Sequence, residues 1–384
     1  MNEFFAREIE RLKVEGLFRE IRDRESRQGR TIRIRGREFI NFASNDYLGF
    51  ASDSLIMASA HKALDSFGFG SGSSRLLSGG TTAHEDLETA ICRLKKTEGA
   101  LILNSGYMAN IGAIPALARK GGIIFSDSLN HASVIDGCRL SRAQHVVYRH
   151  GDADHLRSLL RETPAGQRMV ITESVFSMDG DIAPLDALYA ICEEEGAVLY
   201  IDDAHGTGVL GRGKGALSQF DLPVTDFVVQ MGTFSKALGS FGAFIAADRP
   251  TIDFLINTAR TVIFATALPP VVIAGALQAV ALLEKDNGLI DRLWSNIRKV
   301  HRGIEALGLD KGKSSSQIIP IFCVSLDEAA SLSRTLWEQG MYAPVIRPPT
   351  VKQPRIRLSV TASHTEADLD MLLDALERFV ENRT

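Results

Sequence analysis

Residues 225–244 read TDFVVQMGTFSKALGSFGAF. The run 227–231 is short, apolar and β-branched, the pattern of a buried strand. It breaks at GTFSK, residues 232–236, and small residues follow. A single lysine between hydroxyl groups and glycines, just past a buried strand, is an unusual place for a solvated charge. In such a pocket an ammonium sheds its proton more readily, and the neutral amine is a nucleophile suited to a Schiff base with a carbonyl. A surface lysine in a glycine-rich turn fits the same residues, so the surroundings must decide.

Outward from that stretch, residues 84–245 alternate between helical patterns and short apolar runs. The runs at 100–103, 122–125, 145–148, 169–172, 197–201 and 227–231 read as strands. The stretches 108–118, 153–160 and 185–195 between them read as helices. This alternation predicts an α/β domain with a mostly parallel sheet, whose ligands bind beyond the carboxyl ends of the strands. The residues just past each strand are therefore informative: NSGY at 104–107, SDSLNH at 126–131, ESVFSMDG at 173–180, DDAHGTG at 202–208, and the lysine segment. Polar, small and ionisable residues thus leave five strand ends that can converge on one crevice.

The chain of 384 residues suits one large domain plus a smaller one, and its 45% hydrophobic content supports a sizeable core. With 43 basic against 47 acidic residues, nothing attracts nucleic acid or an anionic membrane globally. Cys92, Cys138, Cys192 and Cys323 lack metal or redox spacing, so free thiols in a reducing cytoplasm are expected. The N-terminus carries no signal-like apolar region, and apolar spacing predicts an amphipathic helix from about 5 to 23. The run 31–42 reads as a hairpin and 43–49 as a polar turn. The loop 67–80, FGFGSGSSRLLSGG, suits close approach to an anion or flat ligand, or simply a flexible connection. Residues 268–283 are apolar but too short for a comfortable membrane span, and read as a buried helix. Helices at 272–285 and 289–307, strands at 318–324 and 355–360, and an amphipathic helix at 366–379 complete a C-terminal lobe.

Pyridoxal phosphate (PLP) would use every part of this crevice. Its phosphate needs donors at a helix N-terminus, which Ser105, Gly106 and Tyr107 provide, with Thr233 and Ser235 nearby. Its ring nitrogen needs an acid, for which Asp202 directly follows an apolar strand. His131 offers a flat neighbour for the ring, His205 a hydrogen bond to its phenolic oxygen, and Lys236 the amine. The histidines could equally be structural, and Asp202 with Asp203 could merely cap a helix.

The strings SNDYLG (44–49), NHAS (130–133), ESVFSMDGDIAPL (173–185), IDDAHGTGVLG (201–211), TFSKALG (233–239) and ATALPP (265–270) together resemble the α-oxoamine synthases. The resemblance covers nearly the whole chain. It implies the α/β architecture of PLP fold type I: a large domain with a mostly parallel, seven-stranded-type sheet flanked by helices, plus a smaller α+β C-terminal domain. The implied divisions are a helix and hairpin segment at 1–45, the PLP-binding domain at 46–283 and the small domain at 284–384. By the same resemblance Lys236 carries the cofactor and moves the Cα proton. Asp202 pairs with the ring nitrogen, Ser177 and His205 bond the cofactor, and His131 stacks on the ring and donates to a developing oxyanion or carboxylate. Gly106 and Tyr107 lie on the phosphate side, and Thr266 reaches the phosphate of the second subunit in a homodimer.

The string IRPPTV at 346–351 resembles the family member that joins L-alanine to a pimeloyl thioester, carried on coenzyme A or on acyl carrier protein. Arg347 is then the expected clamp for the amino-acid carboxylate, with Thr350, Asn45 and Arg19 contacting substrate. Lys352, Gln353 and Pro354 stand where that family carries a proline and a glycine. Three other readings remain open: a relative using glycine and acetyl-CoA, a PLP aminotransferase, and a non-catalytic anion-binding module built on the glycine-rich loop.

Overall fold

The computed structural model describes residues 2–163, 166–285 and 288–382. Helix α1 (Asn2–Val14) precedes a hairpin of β1 (Thr31–Ile34) and β2 (Arg37–Asn41), then α2 (Ser54–Phe67) and α3 (Thr82–Lys95). The alternating region follows as β3 (Gly99–Leu103), α4 (Gly106–Leu117), β4 (Ile123–Asp127), α5 (Ala132–Ser141), β5 (Gln144–Tyr148) and α6 (Ala153–Glu162). It continues through β6 (Arg168–Glu173), α7 (Leu185–Glu195), β7 (Val198–Asp202), α8 (Ala216–Gln219), β8 (Val228–Thr233) and β9 (Ala243–Ala247). Helices α9 (Arg249–Thr258), α10 (Arg260–Ile263), α11 (Pro270–Lys285) and α12 (Gly288–Ala306) lead to the second lobe. That lobe holds β10 (Ile318–Phe322), α13 (Leu326–Glu338), β11 (Met341–Tyr342), β12 (Val345–Ile346), β13 (Arg355–Ser359) and α14 (Glu366–Glu381).

The central sheet has seven strands in the order β3-β9-β8-β7-β6-β4-β5. All its pairings are parallel except those of β9, which runs against both β8 and β3. Strands such as β7 and β8 are apolar throughout because helices cover both faces of the sheet. Sequence reasoning misses β9: AFIAA, coming straight after a glycine-rich turn, reads as more of that turn. Its presence makes the lysine segment the connection of a β8–β9 hairpin. Phe234 N donates to Gly242 O at 2.9 Å and Ser240 N to Phe234 O at 2.8 Å, pinning the turn. Gly239 has φ +61, and a Cβ there would lie 2.4 Å from the Ala51 amide, so only glycine lets the lysine turn nest against the segment after residue 49.

The first helix ends at Val14, short of the expected residue 23. Gly16 adopts φ +67, and 17–24 has no regular structure. The 268–283 run is the buried helix α11, and no described helix is long and apolar enough to cross a membrane. A second sheet, β10-β13-β12, is antiparallel, and one apolar core runs on from the large sheet beneath it. The SNDYLG segment is stitched to the end of β13: Ser359 N donates to Phe42 O and Ala362 N to Tyr47 O, both at 2.8 Å. The two parts of the chain that flank the crevice are thereby held together.

Candidate active site

Parallel pairing delivers Asp127, Glu173, Asp202 and Thr233 to one end of the sheet, from β4, β6, β7 and β8. The paired aspartates after β7 part company. Asp203 turns away to a buried ion pair, its Oδ2 2.7 Å from Lys95 Nζ, which also donates to Thr207 Oγ1 and to Lys214 O at 2.8 Å. Asp202 faces the crevice. Its Oδ2 accepts from Asn110 Nδ2 at 2.8 Å and its Oδ1 from Ala204 N at 3.1 Å. Asn110 is fully buried. It also donates to Ser133 Oγ at 2.9 Å and accepts from Tyr200 OH at 2.9 Å. Ser133 Oγ in turn lies 2.8 Å from Nδ1 of His131, the cap of α5. One chain of hydrogen bonds thus orients the acid and the exposed ring of His131 together.

Lys236 is half-buried in the β8–β9 connection. Burial lowers its pKa to about 8, and the Arg357 guanidinium pushes the same way, against the attraction of Asp202 and Glu173. The amine the sequence singles out is therefore easily made neutral. Glu173 is buried, and its carboxyl is held well above the usual range, first by burial and then by the charge of Asp202. Amides of His131 and Ser177 donate to it, while its Oε1 has no partner among the described residues.

His205 is buried, with Nδ1 2.7 Å from Tyr47 OH. Burial, then the charges of Lys236, Arg357 and His131, hold its pKa well below the ordinary value, so the ring is neutral. Asn45 Oδ1 receives Arg357 Nη2 and Tyr47 OH, each at 3.1 Å. Arg357 also donates from Nε to Ser177 O at 2.6 Å and from Nη1 to Ser359 Oγ at 2.9 Å. Ser177 and Asn45, far apart in the chain, meet at this guanidinium.

On the phosphate side, α4 opens at Gly106 behind Ser105, whose Oγ accepts from Met108 N at 3.2 Å. First-turn amides have no acceptor within a helix, so the amides of Gly106 and Tyr107 suit an anion. The exposed Tyr107 ring donates to Asp136 and stands edge-on to His131, 6.4 Å between centroids. Thr233 faces inward. It donates to Gly242 O at 2.8 Å and receives the Ser235 amide at 3.1 Å, so its hydroxyl holds the lysine turn and Ser235 is the exposed one. Thr266 is exposed, bridged to Ser74 of the glycine-rich loop, with its carbonyl receiving Asn104 Nδ2 at 2.9 Å. That loop is also tied by Ser71 Oγ to Leu268 O at 2.7 Å.

Three expected substrate residues gather elsewhere. Arg347 Nη2 donates to Phe18 O at 2.5 Å, and Arg19 Nη2 reaches Pro348 O at 3.2 Å and Thr350 Oγ1 at 3.4 Å. Arg347, the expected carboxylate clamp, is thus bound to the N-terminal segment, and the guanidinium facing Lys236 is Arg357. The loop with Lys352 and Gln353 is anchored by Gln353 Nε2 to Cys323 O at 3.2 Å.

Sequence reasoning assigns no role to Asn110, Glu173, Tyr47 or Arg357. A lone amide in the apolar helix GYMANIGAIPAL and two arginines inside the strand RIRLS are signals that could have found two of them. The residues present fit PLP. Asp202 is held by Asn110 and Ala204 as an acid for a ring nitrogen would need to be, the His131 ring is exposed, the α4 N-terminus offers amides to a phosphate, and buried Glu173 has an unmatched oxygen.

The family description "Aminotransferase class I and II" matches residues 37–376. An 8-amino-7-oxononanoate synthase of Geobacter sulfurreducens is 44% identical over 98% of each chain. A serine palmitoyltransferase from S. paucimobilis, solved with PLP and myriocin bound, superposes with a TM-score of 0.93 at 31% identity, covering 98% of this chain and 97% of that one. An 8-amino-7-oxononanoate synthase of Francisella tularensis superposes with a TM-score of 0.78 at 30% identity, covering 90% and 98%.

Proposed function

The chain belongs to the aminotransferase class I and II family, and from that membership we propose that it condenses L-alanine with a pimeloyl thioester to give 8-amino-7-oxononanoate, CO2 and free thiol. The 8-amino-7-oxononanoate synthases it matches along nearly their full length support this substrate pair. The observation that carries the chemistry is Lys236, an amine of lowered basicity, sharing a crevice with Asp202. PLP, when bound, supplies a carbonyl for the amino acid and a ring that takes up the electron pair left at Cα after loss of a proton or of CO2. Asp202, held by Asn110, would pair with the ring nitrogen and keep it protonated. His205, its Nδ1 anchored 2.7 Å from the Tyr47 hydroxyl, would face the phenolic oxygen, with Ser177 and Ser235 at the cofactor's edge.

Lys236 Nζ, neutral near pH 8, removes the alanine Cα proton and later returns one. Arg357, with N–H groups to spare beyond Asn45, Ser177 and Ser359, takes the alanine carboxylate, and Asn45 sets its orientation. His131 donates to the oxyanion that forms when the thioester is attacked. Arg19, Arg347 and Thr350 stand on the side from which the acyl donor enters.

The same reading makes the protein a cytoplasmic homodimer. Phe69, Leu76, Leu77 and Phe264 are exposed around the segment carrying Thr266, an apolar surface that a second copy would cover while Thr266 approaches its phosphate. The test is a panel of alanine and glycine against pimeloyl and acetyl thioesters, measuring CO2 and amino ketone. Alanine with the pimeloyl donor should dominate; preference for glycine with acetyl-CoA would identify a glycine C-acetyltransferase instead. Lys236→Ala should fold and show no turnover, and near-normal activity in it would refute the assignment.

A further inference from the structure

Asp203 turns away from the crevice, and behind its ion pair with Lys95 lies a cavity of about 790 Å³. Lys96, Arg212 and Lys214 line it with exposed side chains, against one exposed carboxylate, Asp221. Among the described residues none of the three cations makes an ion pair. Lys95 also lines the cavity, but its charge is met by Asp203 at 2.7 Å. Three like charges around one concavity, with a single acid to offset them, repel one another, and a bound anion relieves that repulsion.

The loop that carries two of these cations is fitted closely to the ion pair. Lys95 Nζ donates to Lys214 O at 2.8 Å. Gly215 has φ +101, and a Cβ there would fall 2.0 Å from Asp203 Oδ2 and 2.4 Å from Lys95 Nζ. Only glycine lets the 211–215 loop close over the pair, so its backbone is fixed before any ligand arrives. Gln230 of β8 also lines the cavity and is only 3% exposed. Its Nε2 reaches Lys95 O at 3.4 Å, long for a hydrogen bond, so this buried amide keeps an N–H for a ligand. Leu217, Leu222 and Val224 add an apolar side, and no aromatic ring is among the lining residues. An arginine fork with two ammonium groups suits a phosphate dianion, and the apolar side suits an aliphatic body. A nucleotide base would find no ring to stack on.

We propose that this cavity binds a small phosphate monoester with an aliphatic body, at a site separate from the cofactor's. The proposal does not depend on the acyltransferase reading. Asp203 adjoins Asp202, so a ligand that holds the 211–215 loop also steadies the segment bearing the cofactor's acid. The test uses PLP-loaded protein, reduced with borohydride so that the cofactor stays attached and its own phosphate site stays filled. Calorimetry measures n-butyl phosphate, inorganic phosphate and, as a carboxylate dianion, succinate. The proteins are wild type, Arg212→Asn, Lys214→Gln, the double variant and Asp221→Asn. Asparagine tolerates the left-handed backbone found at 212 and 221, so these variants should fold, and urea melts check that they do. Hydrogen exchange follows residues 211–222 with and without n-butyl phosphate.

Each cation removed should weaken n-butyl phosphate binding about fivefold, and Asp221→Asn should tighten it about threefold. The ester should slow exchange at 211–222 in wild type but not in the double variant, and should bind more tightly than inorganic phosphate or succinate. No binding by wild type at about 10 mM ester would overturn the proposal. So would equal affinity in wild type and double variant, which would place the anion at another site, or weaker binding in Asp221→Asn. Succinate or inorganic phosphate binding as tightly as the ester would overturn the assignment of a phosphate monoester.

Discussion

Asn110→Leu isolates the hydrogen-bond chain behind the acid. Leucine keeps the branching and heavy-atom count of asparagine and suits the apolar helix α4, so the change removes bonds without opening a cavity. It deletes the donor to Asp202 Oδ2, a bond to an ionised group contributing about 1.5–3 kcal/mol. It also orphans the fully buried Tyr200 hydroxyl, which now donates to Asn110 Oδ1, at about 1–3 kcal/mol. Gain of apolar burial offsets part of this, so the net loss of unfolding free energy should be about 2–4 kcal/mol. Urea denaturation of the apoprotein measures it. Tyr200→Phe is the control. It leaves Asp202 bonded to Asn110 but strands the buried Asn110 Oδ1, at about 1–3 kcal/mol, with PLP affinity unchanged, whereas Asn110→Leu should weaken PLP binding about tenfold or more because the acid loses its orientation. The argument fails if Asn110→Leu binds PLP as tightly as wild type, or if Tyr200→Phe weakens PLP binding as much as Asn110→Leu does.

Lys236 in the apoprotein should react with an amine-directed label along a titration centred near pH 8, against 10.5 for an ordinary lysine; a midpoint above 10 would contradict its environment. Because its folded pKa lies below the unfolded one, the charged form opposes folding at neutral pH, and Lys236→Met should stabilise the apoprotein at pH 7 by about 1 kcal/mol once solvent screening at this half-exposed site is allowed for. For His150 the sign is opposite. Burial works against its charge, yet Asp127 and Asp181, at 2.9 and 2.8 Å, raise its pKa to about 10. Its contribution is full below the unfolded value of 6.5 and is lost as the pH climbs through 10, so the stability gap between wild type and His150→Gln, on the order of 3 kcal/mol at pH 6, should close by pH 10.5 in urea melts. Arg357→Lys should raise KM for alanine about tenfold or more with little change for the thioester; a larger alanine defect in Arg347→Lys would return the clamp to Arg347.

Much of the sheet was legible because parallel strands covered on both faces must be apolar throughout, and runs such as VLYI and FVVQM have no other comfortable place. The residues at the ends of those runs were legible for the same reason: strands paired in parallel must deliver Asp202, Glu173 and the lysine turn to one end. Strand β9 was not, since AFIAA is too short and too close to its turn to show a period. The first helix was overextended because spacing alone does not register Gly16 at φ +67 as its stop. Arg347 and Arg357 could not be told apart by their neighbours in sequence. Each stands in an apolar stretch of the small lobe, and either could serve as a clamp.

By itself the sequence determined the alternating α/β architecture, the lysine beyond a buried strand and the acid beyond another, because these depend on burial patterns within a few residues. The tertiary structure alone decided which arginine faces the amine, how Asn110 and Ser133 join Asp202 to His131, and that three cations from two segments surround one cavity. Those are matters of direction and distance between groups tens to hundreds of residues apart, and electrostatic and hydrogen-bond energies depend on just such distances.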